Sequence, residues 1–407
     1  MKIRSITYFI NPRYPLDQAT LRRAGDFLRA ARAAYEAAGF EVQTTRLATI
    51  PFPALLAEKR LDALPALARE LDLLIPQIDV GYASLGPALP RVPRSFEVIP
   101  EAIAATKNVF FSGLMTDQRR RIDLRAVRLC AQVIASCAPV EQNGFANLRF
   151  GALANVPAGS PFFPAAYHDG AQPAFSIATE AADLAVGAFA EAAGVDEGRR
   201  ALIAAIESHG KALAKVGRKL GAAAKRGAAT FLGVDFSLAP FPSEALSLGT
   251  AFERLGAPRV GLHGSLAAAA ILAEALDRAR FPRAGFSGLF LPVLEDATLA
   301  LRASEGTLTV KDLLLYSAVC GTGLDTIPLP GDASAEQLAS LLLDVAALAL
   351  RLDKPLTARL MPIPNKKAGD PTGFDFAFFA NSRVMALDSR DLHGPFGGSE
   401  AFSLRPR

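Results

Sequence analysis

Four places along the chain carry polar side chains where an apolar, strand-like run ends. They are Asp235 with Ser237, His263, Glu295 with Asp296, and Asp325. In parallel α/β folds the carboxyl ends of the strands meet at one edge of the sheet, where catalytic and binding groups collect. We therefore expect Asp235, His263 and the carboxylates of Glu295 and Asp325 to form a catalytic centre, with Ser237 in contact with the substrate.

The carboxylates of Asp235, Glu295 and Asp325 support two kinds of chemistry. Carboxylate oxygens are ligands that Mg²⁺, Mn²⁺ and Ca²⁺ prefer, so the three residues would form an oxygen-rich metal site. Alternatively, burial beside the others would keep one carboxyl protonated and give an acid/base pair without a metal. A third interpretation involves no chemistry, because Asp235 or Ser237 would form a turn and Glu295 would start a helix. The residue types leave all three open.

The most distinctive segment, Tyr316 to Ser334, combines a thiol, two glycines, two carboxylates and two prolines. These residues are Cys320, Gly321, Gly323, Asp325, Asp332, Pro328 and Pro330. Glycine lets the backbone approach a ligand closely, and proline favours an extended path. The pattern predicts an extended segment at a strand end, with Gly321, Gly323 and Asp332 binding the substrate. A plain connection explains the same residues, with Asp332 in a turn and Ser334 as the N-cap of the next helix.

Cysteine usage indicates reduced thiols. The three cysteines, Cys130, Cys137 and Cys320, form no C-x-x-C pair, which argues against a disulfide framework and against a cysteine zinc site. Cys130 and Cys137 share one face of a predicted helix, so we expect both in the core. Cys320 is interpreted either as a nucleophile assisted by His263 or as a buried structural thiol.

Composition indicates a folded cytoplasmic protein. The chain has 407 residues, of which 51% are hydrophobic and 21% charged, so it can build a large core. The formal net charge of +4 is mild, and the basic run at 211–226 lacks interleaved aromatic residues, so nucleic-acid binding is not indicated. The first residues read as a strand, and no apolar run is long enough for a signal peptide or a membrane span.

Alternating elements predict an α/β fold in one domain spanning 1–407. Strands at 3–10 and 41–47 flank a helix at 16–38, which favours parallel pairing. Short strands are also predicted at 71–75, 260–262 and 288–292, an irregular stretch at 77–97, and a long helical segment at 180–226. Because strands and helices alternate through most of the chain, the sheet should be mainly parallel, and alternation alone leaves its closure undecided.

Five segments resemble the signature of one family, the domain of unknown function 711, also called uncharacterised protein family 0210. They are Ile3–Thr7, Val234–Pro240, Gly261–Ser265, Phe286–Asp296 and Tyr316–Ser334, in family order. The resemblance implies a large closed α/β barrel of mainly parallel strands surrounded by helices, similar to that of glycyl-radical enzymes such as pyruvate formate-lyase. The loop at 155–172 resembles a family segment in which a Pro-Phe pair precedes a histidine. That segment maps onto Pro161, Phe162 and His168 and implies a substrate-binding role for His168.

The same resemblance raises radical chemistry, because glycyl-radical enzymes use a cysteine on a loop inside the barrel, as Cys320 would be. Their radical glycine lies near the C-terminus within an Arg-Val-x-Gly-Tyr motif. In this chain Gly397 and Gly398 lack those flanking residues. The resemblance therefore says more about the fold of this protein than about the reaction that it would catalyse.

These observations predict an enzyme that acts on a small polar or anionic substrate inside the barrel, by acid/base or metal-assisted hydrolase or lyase chemistry. The cofactor that the carboxylates would hold is Mg²⁺, Mn²⁺ or Ca²⁺, whereas no Walker lysine or G-x-G-x-x-G motif supports a nucleotide. The alternative is a non-catalytic metabolite-binding or regulatory protein that keeps the barrel. Expected partners are a small molecule and further copies of the chain in a homo-oligomer, without nucleic acid or membrane.

Overall fold

The computed structural model describes residues 1–170, 172–223, 229–319 and 322–406, so the predicted site residues Cys320 and Gly321 lie outside the described residues. Within these ranges the chain forms a nine-stranded sheet and a separate two-stranded ribbon. The strands are β1 Lys2–Ile10, β2 Val42–Pro51, β3 Tyr82–Ala88, β4 Val109–Leu114, β5 Ile122–Asp123, β6 Phe150–Ala154, β7 Ala174–Glu180, β8 Thr230–Asp235, β9 Gly323–Pro330, β10 Leu356–Ile363 and β11 Ala401–Phe402.

Helices connect the strands, and side-chain caps fix where several of them begin. The α-helices are α1 Gln18–Ala37, α2 Phe52–Leu56, α3 Leu64–Leu74, α4 Arg94–Glu97, α5 Ile99–Ala104, α6 Leu124–Cys137, α7 Ala182–Ala190, α8 Val195–Ala223, α9 Leu248–Arg254, α10 Ser265–Arg278, α11 Ala297–Glu305, α12 Val310–Ser317 and α13 Ala335–Arg351. Short 3-10 helices lie at Glu58–Ala63, Ile75–Ile78, Gln142–Arg149, Glu244–Leu246, Val293–Glu295 and Gly394–Gly397. Ser334 and Gln337 form a reciprocal capping box on α13, which confirms the predicted helix start. None of the described helices combines the length and apolar character needed to cross a membrane.

The large sheet contains two sets of parallel strands that run in opposite directions. Its order is β8-β7-β1-β2-β3-β4-β6-β10-β9. The central strands β1, β2, β3, β4 and β6 are mutually parallel. β7 pairs antiparallel with β1 and carries β8, and β10 pairs antiparallel with β6 and carries β9. A mainly parallel sheet surrounded by helices is thus confirmed, while closure into a barrel stays a prediction.

The two faces of the sheet differ in what covers them. Ile6, Leu47 and Ala83 belong to the main core with the helices. On the opposite face, Phe9, Ala48 and Phe110 pack with Phe163 and Ala166 of the long loop. Three strand hydroxyls donate hydrogen bonds to loop carbonyls, namely Thr7 to Pro161 at 2.9 Å, Ser84 to Ala166 at 2.8 Å and Ser176 to Gly159 at 3.0 Å. The long loop is therefore built into this face of the sheet.

Some predicted elements are wrong, for reasons that the packing explains. Residues 71–74 end α3, because its buried residues recur at helical spacing, at Leu64, Leu67, Ala68 and Leu71. β3 lies in the stretch predicted to be irregular, and nearly all of it is buried, so no alternation marks it. Residues 260–262 form a turn rather than a strand. Among the described residues, the stretch 288–292 pairs through single parallel bridges, at Leu289 with Leu238 and at Pro292 with Asp325, and forms no strand of the sheet.

Candidate functional site

A cavity of about 820 Å³ opens on the loop-bearing face of the sheet. It lies at the amino ends of β1, β2 and β3, which contribute Arg4, Arg46 and Tyr82. Because β8 runs the opposite way, Ala239 and Pro240, which follow it, line the same cavity. We call inner wall the part of the lining that is formed by Arg4, Arg46, Glu295, Asp325 and Arg359 with the rings of Tyr82, Phe110, Phe162, Phe163 and Phe290. Further charged residues border the cavity, namely Arg69, Asp72, Lys107, Glu141 and Arg149.

Four of the charged side chains of the inner wall belong to a row of alternating charge that begins at Glu180. Arg4 donates to Glu180 at 3.0 Å and also to Glu295. Arg359 donates from Nη2 to Glu295 at 2.7 Å and from Nε to Asp325 at 2.5 Å. Glu295, Asp325 and Arg359 are buried, so these ion pairs are shielded from water. The row links β7, β1, the 3-10 helix at 293–295, β10 and β9 around one space.

The carboxyl groups of Glu295 and Asp325 differ in proton affinity. Burial raises the pKa of Asp325 above its ordinary value, and the nearby Glu295 charge adds to this although Arg359 opposes it. Burial acts the same way on Glu295, but Arg359 and Arg4 outweigh it, so the pKa of Glu295 lies below its ordinary value. A pair of carboxyl groups with separated pKa values is the usual arrangement of a general acid beside a permanent charge.

Arg46 differs from the other charged residues of the inner wall because it is buried without a carboxylate partner among the described residues. Its side chain is buried, and its Nε donates to Thr44 Oγ1 at 2.9 Å. Its guanidinium carbon lies 5.0 Å from the ring centroid of Phe163 and 5.8 Å from that of Tyr82. No carboxylate in the described part of the chain lies within 4.0 Å of it. Burial, together with Arg4, lowers its pKa to about 9, which is the behaviour expected of a buried cation without a counter-ion.

Asp235 and Ser237 lie elsewhere, where they join β8 to the segment 283–292. The Asp235 carboxylate accepts from Ser237 Oγ at 2.6 Å and from the backbone N–H groups of Phe286 and Ser287, both at 2.7 Å. Ser237 Oγ in turn accepts from the N–H of Gly288 at 3.1 Å. Burial raises the pKa of Asp235 to about 7. Neither residue lines the large cavity, so the structure separates Asp235 from Glu295 and Asp325.

The predicted metal ligands do not fit a divalent cation. The carboxylate of Asp235 accepts from three donors, and those of Glu295 and Asp325 face guanidinium groups. A metal ion between the latter two would also meet the charges of Arg4 and Arg359. Across the described ranges, no three His, Cys, Asp or Glu side chains are grouped to hold a metal ion. We therefore derive no chemistry from a metal at these residues.

Residues 1–379 match the family described as "Uncharacterised ACR (DUF711)". The chain belongs to this family. It is 37% identical over 281 residues to a UPF0210 protein of Pyrobaculum aerophilum, and 31% identical over 388 residues to a UPF0210 protein of Syntrophobacter fumaroxidans. The aligned regions cover 67% and 91% of this chain. They cover 61% of the Pyrobaculum protein and 83% of the Syntrophobacter protein.

Three other predicted site residues of this DUF711 chain lie away from the cavity wall. His263 is exposed in a turn before α10, and Asp332 is exposed in the turn after β9. His168 is buried, its backbone N–H donates to Thr49 O at 2.9 Å, and its Nδ1 lies 3.4 Å from Asp169. Asp296, beside Glu295, caps α11 and also accepts from Ser247 Oγ at 2.5 Å. Of the residues predicted to be catalytic, the described cavity wall brings together Glu295 and Asp325.

Three arginines of the site were missed by the sequence analysis. Arg4, Arg46 and Arg359 each lie within a strand, in KIRSITYFI, VQTTRLATIP and LTARLMPI. An arginine inside a largely apolar strand is a signal, because a buried guanidinium is costly unless something binds it. Arg4, Arg46 and Arg359 lie inside strands, so a rule that considers strand ends does not select them.

Gly323, predicted to bind the substrate, is instead a point of close backbone approach. Its φ is 92°, and a Cβ there would collide with the carbonyl oxygen of Thr357 on β10. We expect Gly323→Ala to lower the free energy of unfolding by about 3 kcal/mol, from left-handed backbone strain together with overpacking. Gly369→Ala is the matched control, because Gly369 has a φ of 90° with open space around it. The free energy of unfolding of the control should fall by only about 1 kcal/mol. If urea unfolding shows equal losses for the two variants, the close backbone approach at Gly323 does not limit the side chain.

Proposed function

We propose that this protein is an enzyme that acts on a small anionic substrate in the cavity by acid/base chemistry. One observation carries the proposal. Arg46 is a buried guanidinium without a carboxylate partner among the described residues, and it lines the same cavity as the carboxyl pair of Glu295 and Asp325. A substrate anion would supply the missing counter-charge, since charge-assisted bonds from arginine to a carboxylate or phosphate are strong and directional.

In this proposal the two carboxyl groups have different roles. Asp325 carries the proton that is transferred, because its pKa is raised. Glu295 stays ionised between Arg4 and Arg359 and stabilises positive charge that develops nearby. Arg359 positions both carboxyl groups through its two hydrogen bonds. Protonation of a leaving group or of a carbanion by Asp325 suits hydrolase or lyase chemistry.

We also propose that the sheet closes into a barrel around this cavity. Single parallel bridges support closure, because the segment 283–292 meets β8 through Val234 and Arg283 and meets β9 through Pro292 and Asp325. The clamp made by Asp235 and Ser237 holds the same segment against β8. Closure would place Glu295, which follows that segment, on the inner wall between the two sets of strands.

A second candidate function is a metabolite-binding protein without catalysis. The observation that favours it is the ion pairing of both carboxyl groups, since Arg359 already holds Glu295 and Asp325. A carboxylate that is fully engaged by a guanidinium is a poor proton acceptor. In that case Arg46 would bind the same anion and nothing would be converted.

The experiment that separates the two is a thermal-shift screen of small carboxylic acids and phosphate esters, followed by mass spectrometry of each stabilising compound after incubation with the protein. Conversion that depends on protein concentration supports the enzyme. Stabilisation without conversion over several days supports the binding protein. If no anion stabilises the protein, both functions fail.

Arg46→Met provides the decisive variant for this screen. We expect the affinity for the selected anion to fall about 100-fold, as for the loss of a buried charge-assisted pair. We expect the thermal midpoint to stay the same or rise, because the substitution removes a buried cation that has no internal partner. Titration calorimetry and thermal unfolding measure the two effects.

Arg149→Met is the matched control. Arg149 is buried to a similar degree and also borders the cavity, but it pairs with Glu141 and donates to the carbonyl of Ile103 at 3.0 Å. Its loss should lower the thermal midpoint and leave anion affinity nearly unchanged. A lower midpoint in Arg46→Met together with unchanged affinity would show that Arg46 is structural.

A further inference from the structure

The wall beside Arg46 is a continuous run of aromatic rings. Tyr82 and Phe110 meet at 5.5 Å between ring centroids and 81°, and Phe110 and Phe163 meet at 5.3 Å and 62°. Arg46 lies over both end rings, Tyr82 and Phe163. All three rings line the cavity. An anion bound to this guanidinium would therefore place the rest of its body against aromatic surface.

A second aromatic pair extends the apolar surface of the cavity. Phe162 and Phe290 meet at 4.3 Å between centroids with an interplanar angle of 31°. Phe162 is the chain neighbour of Phe163, so the long loop supplies a ring to each group. Both Phe162 and Phe290 are buried and line the cavity. The space between the two groups suits a flat apolar body better than a strongly hydrated one.

The charges of the wall limit the charge of the ligand. Arg4 and Arg359 are compensated by Glu180, Glu295 and Asp325. Arg46 is the one guanidinium on the described inner wall that lacks such compensation. With Asp325 in the protonated form that the proposed function requires, these three guanidinium groups face the two carboxylates of Glu180 and Glu295, so a single negative charge would balance them. The second charge of a phosphate dianion would have no buried cation of its own.

We infer that the substrate is an aromatic or arylalkyl monocarboxylic acid. This inference rests on the proposed function and names its substrate class. The carboxylate accepts hydrogen bonds from Nη1 and Nη2 of Arg46, which bond to nothing else in the described structure. The ring packs against Tyr82, Phe110 and Phe163. Asp325 lines the same cavity and would act on the carbon chain between the carboxylate and the ring.

Titration calorimetry with a small set of probes tests this inference. The probes are phenylacetate, 3-phenylpropionate, acetate, phenylacetamide, phenylphosphonate and inorganic phosphate. We expect the two aryl acids to bind at least about 30-fold more tightly than acetate, because a phenyl group is buried on binding. We expect phenylacetamide to bind at least about 30-fold more weakly than phenylacetate, because the charge is lost. Equal affinities for acetate and phenylacetate, or tighter binding of either phosphorus compound, would overturn the inference.

Two variants locate the ring. Phe163→Leu should lower the affinity for phenylacetate about 5-fold or more, because it removes one stacking surface. The affinity for acetate should stay nearly unchanged. Phe374→Leu is the control, since Phe374 is as buried as Phe163 but does not line the cavity. Equal effects of the two variants on phenylacetate would also overturn the inference.

The outcomes distinguish this inference from the proposed function. If an aliphatic acid or a phosphate ester is converted in an Arg46-dependent way while aryl acids bind no better than acetate, the enzyme stands and the substrate class is wrong. If aryl acids bind through Arg46 and Phe163 but no member of the class is converted over several days, the substrate class stands as a ligand class and the enzyme is wrong.

Discussion

Replacing Arg359 by leucine is expected to lower the free energy of unfolding by about 3–5 kcal/mol, the range measured when one partner of a buried ion pair is removed. Arg359 bonds to Glu295 at 2.7 Å and to Asp325 at 2.5 Å, and all three side chains are buried. Without the guanidinium, Asp325 loses the cation that it bonds to, and Glu295 keeps Arg4 as its cationic partner in the described part of the chain. Urea unfolding at neutral pH measures the loss.

An exposed ion pair provides the control for this prediction. Arg91 bonds to Glu58 at 3.0 Å, and their side chains are 55% and 58% exposed. Arg91→Leu should cost less than about 1 kcal/mol, as surface pairs do. A further variant, Arg359→Leu with Asp325→Asn, should recover part of the loss because it removes one of the uncompensated carboxyl groups. If Arg359→Leu lowers the free energy of unfolding no more than Arg91→Leu does, the buried row of charges does not stabilise the fold.

Local sequence signals predicted the elements that local interactions fix. The first strand, helix and second strand follow from alternation and amphipathic spacing, and the predicted N-cap Ser334 marks the start of α13. Cys130 and Cys137 are buried on α6, as the seven-residue spacing predicted. β3 could not be found in this way, because a strand covered on both faces has no polar side to mark its period.

The site was predicted only in part, because its geometry depends on strand direction. The rule that active sites lie at the carboxyl ends of strands assumes that the strands run one way. Here the antiparallel pairs β1–β7 and β6–β10 bring the amino ends of β1, β2 and β3 to the carboxyl end of β7. Glu295 and Asp325 line the cavity there, although Asp325 lies near the amino end of β9 and not, as predicted, at the carboxyl end of a strand. Arg4 and Arg46 lie within strands and were not among the predicted residues. No local pattern encodes which strands pair antiparallel.

The family segments can be interpreted in two ways once the structure is known. Val234–Pro240 and Phe286–Asp296 contain the clamp between Asp235 and the backbone of Phe286 and Ser287, which is a structural arrangement. Phe286–Asp296 also contributes Phe290 and Glu295 to the cavity. A segment that matches the family can therefore contain both residues that stabilise the fold and residues that line the cavity. The contacts of each side chain show which of the two roles it has.

Asp325→Asn is the variant with the largest expected effect on turnover. If Asp325 transfers the proton, the rate of conversion should fall by about 100- to 10,000-fold, the usual contribution of a positioned general acid. The raised pKa of Asp325 means that the folded protein holds it protonated at pH values where an exposed aspartate is ionised. Asparagine resembles that neutral form in shape and keeps an oxygen that accepts from Arg359 Nε. The thermal midpoint should therefore fall less than in Arg359→Leu, which takes the guanidinium from both carboxyl groups.

The pH dependence of turnover provides an independent check on this role. Activity that needs the protonated form should be retained below the raised pKa of Asp325 and lost as the pH rises through it. The residual rate of Asp325→Asn should lack that loss, because asparagine does not titrate. Asp325→Leu serves as the structural control, since it removes the acceptor of Arg359 and should lower the thermal midpoint strongly. A large stability loss already in Asp325→Asn, with turnover reduced only in proportion to the folded fraction, would assign Asp325 to the ion-pair row and leave the proton transfer without a donor.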